Sequence, residues 1–159
     1  MALIRELRSL KEIRQAVDGY CNYDKTLNSD PEYALKVFSH KVRMKKFIRG
    51  YFEGSIMVGC IYADIAQLPH LPFPYFQQFY FYTEEKGKKA FNIIKHLHDS
   101  MILEAKRQEL AFCISMGSHN DEKFTFARIL EKHGWERINY LAYYQLDPKR
   151  PYVKALPDS

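Results

Sequence analysis

The sequence predicts an α/β (α+β) sandwich: a mixed, mostly antiparallel sheet of six to seven strands with helices on both faces, in one domain over 1–159. Three observations predict it. Two strand-like runs, Lys46–Phe52 and Ile56–Ile65, flank a Glu53-Gly54-Ser55 turn, which is an antiparallel hairpin signal. An almost wholly aromatic run, Tyr75–Tyr82, precedes a long helical pattern and a second apolar run, Leu110–Met116. A strand, a helix and a strand in that order imply a right-handed crossover between parallel strands. The composition is 47% hydrophobic and 27% charged, enough apolar residues for one packed core and too few charges for a disordered chain.

The elements follow in order. Ala2–Glu6 alternates weakly and predicts a short strand. Leu10, Ile13, Ala16 and Val17 have helical spacing, predicting a helix to about Tyr20. Asp30-Pro31 supplies an N-cap and a residue suited to the first helical position, so a second helix runs from Pro31 to about Lys41. The hairpin comes next. Three prolines between Gln67 and Pro74 make that stretch a loop, because proline cannot donate to a ladder. Tyr75–Tyr82 suits a central strand buried on both faces. From Thr83, Phe91, Ile94, Leu97, Met101, Ile102 and Ala105 form one apolar helical face out to about Arg107. Leu110–Met116 predicts a strand. Asn120-Asp121 predicts the cap of a helix carrying Phe124, Ala127 and Leu130, and Gly134 suits the left-handed position after it. Ile138–Leu146 predicts a last strand, with a tail from Asp147.

Composition and residue types exclude several functions. No apolar run approaches the roughly 18–20 residues of a membrane span. The start Met-Ala-Leu-Ile-Arg-Glu has no apolar signal region, so a cytoplasmic setting is expected. Three scattered cysteines, Cys21, Cys60 and Cys113, make neither a disulfide framework nor a zinc ribbon. His96 and His98 lie two apart on a helix and face different ways, so no metal is expected. The net charge of +5 mildly favours anionic partners. Lys36, His40, Lys41, Arg43, Lys45, Lys46 and Arg49 cluster with Tyr33, Phe38 and Phe47 interleaved, as in a nucleic-acid face. The favoured reading is a solvated connection whose aromatics face the core, with nucleic acid not expected as a partner. Nothing fixes an oligomeric state; a homodimer is one option.

Four segments, taken in order, resemble the GNAT superfamily of Gcn5-related acyl-CoA N-acyltransferases. They are Phe52-Glu53-Gly54-Ser55-Ile56-Met57-Val58-Gly59, Phe79–Thr83 running into Gly87, Leu110–Met116, and Leu130-Glu131-Lys132-His133-Gly134-Trp135. The step Gly117-Ser118-His119-Asn120 is similar to that of divergent, phage-borne members. The resemblance implies a splay between the parallel strands that receives the pantetheine arm of acetyl-CoA, with no metal. It implies backbone contacts to that arm from Phe79, Phe81 and Thr83, with Asn120 near it. It places the pyrophosphate on Lys86, Gly87, Lys88, Lys89 and Ala90. Bare N–H groups and the positive end of a helix attract phosphate, and glycine lets the backbone come close. Where the family pattern has Gln/Arg this chain has Glu84, and Lys89 stands where it has Gly/Ala.

The implied reaction is transfer of an acetyl group from acetyl-CoA to a primary amine of a small molecule or protein. The amine must be neutral to attack, so a general base is needed. Asp64 and His70 are the candidates. Leu130 occupies the position of the family's tyrosine acid and cannot donate a proton; Ser118, His119, and Tyr143 or Tyr144 are the substitutes. The alternative is a catalytically inactive GNAT-like protein with a structural, virion or regulatory role, since fold does not fix function.

Overall fold

The computed structural model describes residues 2–23, 28–115, 125–136 and 145–151. Among them are β1 (Ala2–Glu6), α1 (Leu10–Tyr23), α2 (Pro31–Arg43), β2 (Phe47–Glu53), β3 (Ile56–Ala66), β4 (Tyr75–Thr83), α3 (Gly87–Arg107), β5 (Cys113–Ser115) and α4 (Thr125–Lys132). The strands form one sheet in the order β1-β2-β3-β4-β5. Every neighbouring pair is antiparallel except β4 and β5, which run parallel. The fold is therefore mixed α+β. The described residues hold five strands. The expected strand Ile138–Leu146 falls mostly outside them, and Gln145 and Leu146, which are described, are not in a strand.

Two apolar clusters lie on opposite faces of the sheet. Under α1 and α2, Ile13, Ala16, Val17 and Phe38 meet Ile48, Phe52, Met57, Cys60, Tyr80 and Tyr82. Under α3 and α4, Ile93, Leu97, Met101, Phe126 and Leu130 meet Phe47, Ile61, Phe76 and Phe81. The strands feed both clusters because successive side chains alternate in direction. Glycines set the closest approaches. A Cβ at Gly19 of α1 would lie 2.4–2.9 Å from the Tyr82 ring.

The helix ends follow local chemistry. The Asp30 carboxylate accepts from Glu32 N–H and Tyr33 N–H at 3.0 Å, with Pro31 behind it, as the sequence predicts. Gly134 takes φ +90°, and Trp135 N–H closes onto Leu130 C=O at 3.1 Å. Two exits lack glycine. Lys45 and Glu109 adopt φ +55° and +56°, and Lys46 and Leu110 close onto Lys41 and Ala105 in the same way.

Two boundaries move from expectation. Strand β5 begins at Cys113, because Leu110 completes the exit from α3. Helix α3 begins at Gly87, because Thr83 stays in β4. Its hydroxyl donates to Val58 C=O at 2.8 Å and accepts Glu85 N–H at 3.2 Å. Lys86 occupies the N-cap without a side-chain cap bond, so Thr83 does not cap this helix.

Candidate functional site

The aromatic strand is less uniform than its composition. Tyr75, Phe76, Tyr80, Phe81 and Tyr82 are buried, but Phe79 is 47% exposed. The cause is register. Tyr80 pairs with Tyr62 and Gln78 with Ala63, so Phe79 is an extra residue with no partner on β3. Such a bulge displaces its peptide groups from the ladder and reverses which residues face which way. Before it, Phe76 joins the α3 cluster; after it, Phe81 does. On the other edge of β4, pairing with β5 covers Phe76↔Cys113 to Gln78↔Ser115 among the described residues. The β3 ladder thus skips one residue, Phe79, directly after Gln78, the last β4 residue paired with β5 among the described residues. Gln78, just before it, is 1% exposed and accepts from the Ser115 hydroxyl at 2.6 Å, tying the two parallel strands together.

From Phe79 the strand continues to Thr83 and turns through Glu84–Lys86 into α3. Gly87 has φ +62°, and a Cβ there would meet nothing within 4 Å, so the backbone is open on that side. At the start of α3, the N–H groups of Gly87, Lys88 and Lys89 precede the first intrahelical bond, Ala90 N–H to Lys86 C=O at 3.5 Å. The lysines divide. Lys89 lies between Glu53 at 3.2 Å and Glu85 at 3.1 Å, so its charge is already answered. Lys86 and Lys88 are exposed and have no ion pair among the described residues. Lys89 also offsets Glu85, leaving exposed Glu84 as the uncompensated carboxylate of the turn. The turn can hold an anion through bare amides, an open glycine and two free ammonium groups.

On the α1/α2 side of the bulge, Phe79 stacks on Tyr62 at 5.9 Å, and Tyr62 O–H donates to Asp64 at 3.0 Å. Asp64 also accepts Ile65 N–H at 2.8 Å and pairs with Lys46 at 3.3 Å and Lys41 at 3.6 Å. Partial burial by itself would raise its pKa. The bonds from Ile65, Tyr62 and Lys46 outweigh that and hold the carboxyl below its usual value. Asp64 is therefore a fixed negative charge more than a proton acceptor.

The other candidates scatter. His70 is exposed on the loop before β4, at the opposite end of that strand from the α3 turn. Phe81 and Thr83 are buried within β4. Leu130 is buried in the α3/α4 cluster. Ser118, His119, Asn120, Tyr143 and Tyr144 lie outside the described residues. Burial pushes the Cys113 thiol up to about 11 and raises that of Cys60 as well, so neither is a ready nucleophile. His96 is exposed and stacks on Tyr51, whereas His98 is buried, which separates the two rings. Sequence reasoning missed the bulge, the Gln78–Ser115 tie, and the roles of Tyr62, Lys41 and Lys46. One signal was present: Gln77-Gln78 interrupts the aromatic run.

Comparison with known proteins gives the class. No family model and no curated protein matches the sequence. Solved structures do. A predicted acetyltransferase from Clostridium acetobutylicum, solved with acetyl-CoA, superposes with a TM-score of 0.70 at 14% identity, over 91% of this chain and 96% of that one. An aminoglycoside 6′-N-acetyltransferase from Acinetobacter baumannii gives 0.69 at 10%, over 92% and 99%. The ribosomal-protein-alanine N-acetyltransferase of Brucella melitensis biovar Abortus gives 0.65 at 15%, over 92% and 99%. The chain has the GNAT fold, as the sequence resemblance implied.

Proposed function

We propose that this chain is an acyl-CoA-dependent N-acyltransferase that moves an acetyl group from acetyl-CoA to a primary amine. The observation that carries this reading is the bulge at Phe79, which has no partner on β3, upstream of a turn fitted for an anion. Displaced backbone groups at Phe79, with those of Phe81 and Thr83, would bind the pantetheine arm. The amides of Gly87, Lys88 and Lys89 would hold the pyrophosphate, with the Lys86 and Lys88 side chains adding charge. Lys89, held by Glu53 and Glu85, would orient the turn. A bound acetyl-CoA in one structure of the same fold supports the assignment.

In the reaction, the neutral amine attacks the thioester carbonyl carbon, the C–S bond breaks, and the sulfur leaves with a proton. A backbone N–H at the bulge would stabilise charge on the carbonyl oxygen. Asp64 would hold the Tyr62–Phe79 stack that floors the amine side. Ser118 and Tyr143 are the proton donors to test, Asn120 the further contact to the arm, and His70 the remaining base candidate.

Calorimetric titration with acetyl-CoA, beside Gly87→Glu, tests the reading. The substitution adds a carboxylate to the anion turn and a side chain at φ +62°. Micromolar binding by the native chain, lost in the variant, is expected. A folded native chain that binds nothing at millimolar acetyl-CoA overturns the enzyme reading and leaves a GNAT-shaped interaction protein.

A further inference from the structure

The outer face of α2 carries charge that no carboxylate among the described residues answers. Tyr33, Lys36, His40 and Arg43 follow each other at intervals of three, four and three residues, so they form one stripe. All four are exposed, Tyr33 by 68%, and Lys45 continues the stripe beyond the helix end. At 1.5 Å per residue the stripe is about 15 Å long. The sequence alone favoured a solvated connection with its aromatics turned inward. Phe38 and Phe47 are buried as expected, but Tyr33 stands in solvent among the cations.

The nearby carboxylates are occupied. Glu32 is held by Arg14 at 2.8 Å, and Asp30 caps α2. Among the described residues no carboxylate pairs with Lys36, His40, Arg43 or Lys45. Elsewhere Arg5, Lys95, Arg107 and Arg150 each meet one and Lys89 meets two, while Lys86 and Lys88 at the α3 turn meet none among the described residues.

The stripe also adjoins the bulge. Lys41 of α2 and Lys46 just after it reach Asp64, which binds Tyr62, on which Phe79 stacks. Two lysines around one carboxylate leave this approach positive, so a free polycationic amine would meet like charge there. An amine borne by an anionic chain would be drawn in. Nucleic-acid phosphates match the charge but present no aliphatic amine, whereas an acidic polypeptide can present a lysine. We propose that the α2 outer face docks an acidic protein segment and delivers its lysine amine to the Phe79 bulge. This inference rests on the acyl-transfer reading and names its acceptor class.

Fluorescence anisotropy tests it without acetyl-CoA present. The probe is a labelled 14-residue peptide of Asp, Glu, Ser and Gly with one central lysine. Its controls are the same peptide with Asn and Gln for Asp and Glu, and oligo-dT of 12 nucleotides. The acidic peptide should bind at least about tenfold tighter than the neutral one, and weaken about tenfold between 50 and 300 mM salt as exposed charges are screened. The Lys36→Glu/Arg43→Glu variant should lose this preference, the Lys36→Ala/Arg43→Ala variant should weaken it, and both should titrate acetyl-CoA like the native chain. Equal binding of acidic and neutral peptides overturns the proposal, as does an acidic preference unchanged by charge reversal. Tighter binding of oligo-dT than of the acidic peptide also overturns it and makes the stripe a nucleic-acid surface. Acetyl-CoA binding without charge-selective capture removes only the docking face. Selective capture without acetyl-CoA binding supports that face and removes the acyl-transfer reading.

Discussion

The two faces of the sheet bury polar groups differently. Under α1 and α2, two of the buried tyrosines carry hydroxyls that find partners: Tyr80 donates to Ala16 C=O and Tyr62 to Asp64. Under α3 and α4 the cluster is mostly aliphatic and phenyl, with one tyrosine, Tyr51, and with His98 set among Phe81, Phe126 and Trp135. Its Nδ1 pairs with Ile94 C=O at 2.8 Å, so that nitrogen carries the proton. Its Nε2 is buried with no hydrogen-bond partner. One face closes its hydrogen bonds at its edge, next to the bulge. The other is sealed by packing and leaves two ring nitrogens unmet, His98 Nε2 and, just past α4, His133 Nε2; the full burial of His98 makes it the face that pH should disturb.

The largest effect should come from emptying the sealed face. Leu97 is fully buried, and Leu97→Ala should cost about 2–5 kcal/mol, read by urea unfolding. A loss under 1 kcal/mol would mean that α3 packs loosely and that the contrast fails.

The next effect is the pH response. Burial pushes the His98 imidazole down from 6.5 to about 4. Between those values the unfolded chain binds more protons, so stability falls as pH drops through that window, by about 3 kcal/mol in all. Melting followed from pH 7 to 4.5 should show the fall, and His98→Met should flatten it. The Asp64 and Glu104 carboxylates are held below their ordinary 3.8 and 4.5, so they contribute their own losses at lower pH. A profile unchanged by His98→Met would show that the ring gains a partner in solution.

On the α1/α2 face, Gly19→Ala sets a methyl against the Tyr82 ring and should cost about 1–3 kcal/mol by overpacking. Little change in melting would mean that α1 can lift from the sheet. The smallest effect is expected from Thr83→Val, which removes the donor to Val58 C=O and the acceptor for Glu85 N–H. It should cost about 1 kcal/mol and also weaken acetyl-CoA titration, because that turn leads to Gly87.

Much of the fold was legible along the chain because its signals are local. The Asp30-Pro31 start, the Gly54 turn, the Gly134 exit and the apolar face of α3 each depend on residues within a few positions of one another. Of the site, the Gly87 turn came only from the family resemblance, because the helical pattern by itself ran on from Thr83. The division of its lysines was not legible, because Glu53 comes from another strand. Nor was the state of Asp64, whose carboxyl is governed by Lys41, Lys46 and Tyr62 together.

The sequence by itself determined the succession of strands and helices from β1 to α4 and most of the two-sided burial of β4, because periodicity and capping act over a few residues. Tertiary structure decided the rest. The skipped residue at Phe79 exists only in the register between β3 and β4, and the unanswered charge of the α2 stripe only in where the carboxylates come to lie. Register and charge pairing join residues far apart in the chain, and no local pattern encodes that distance.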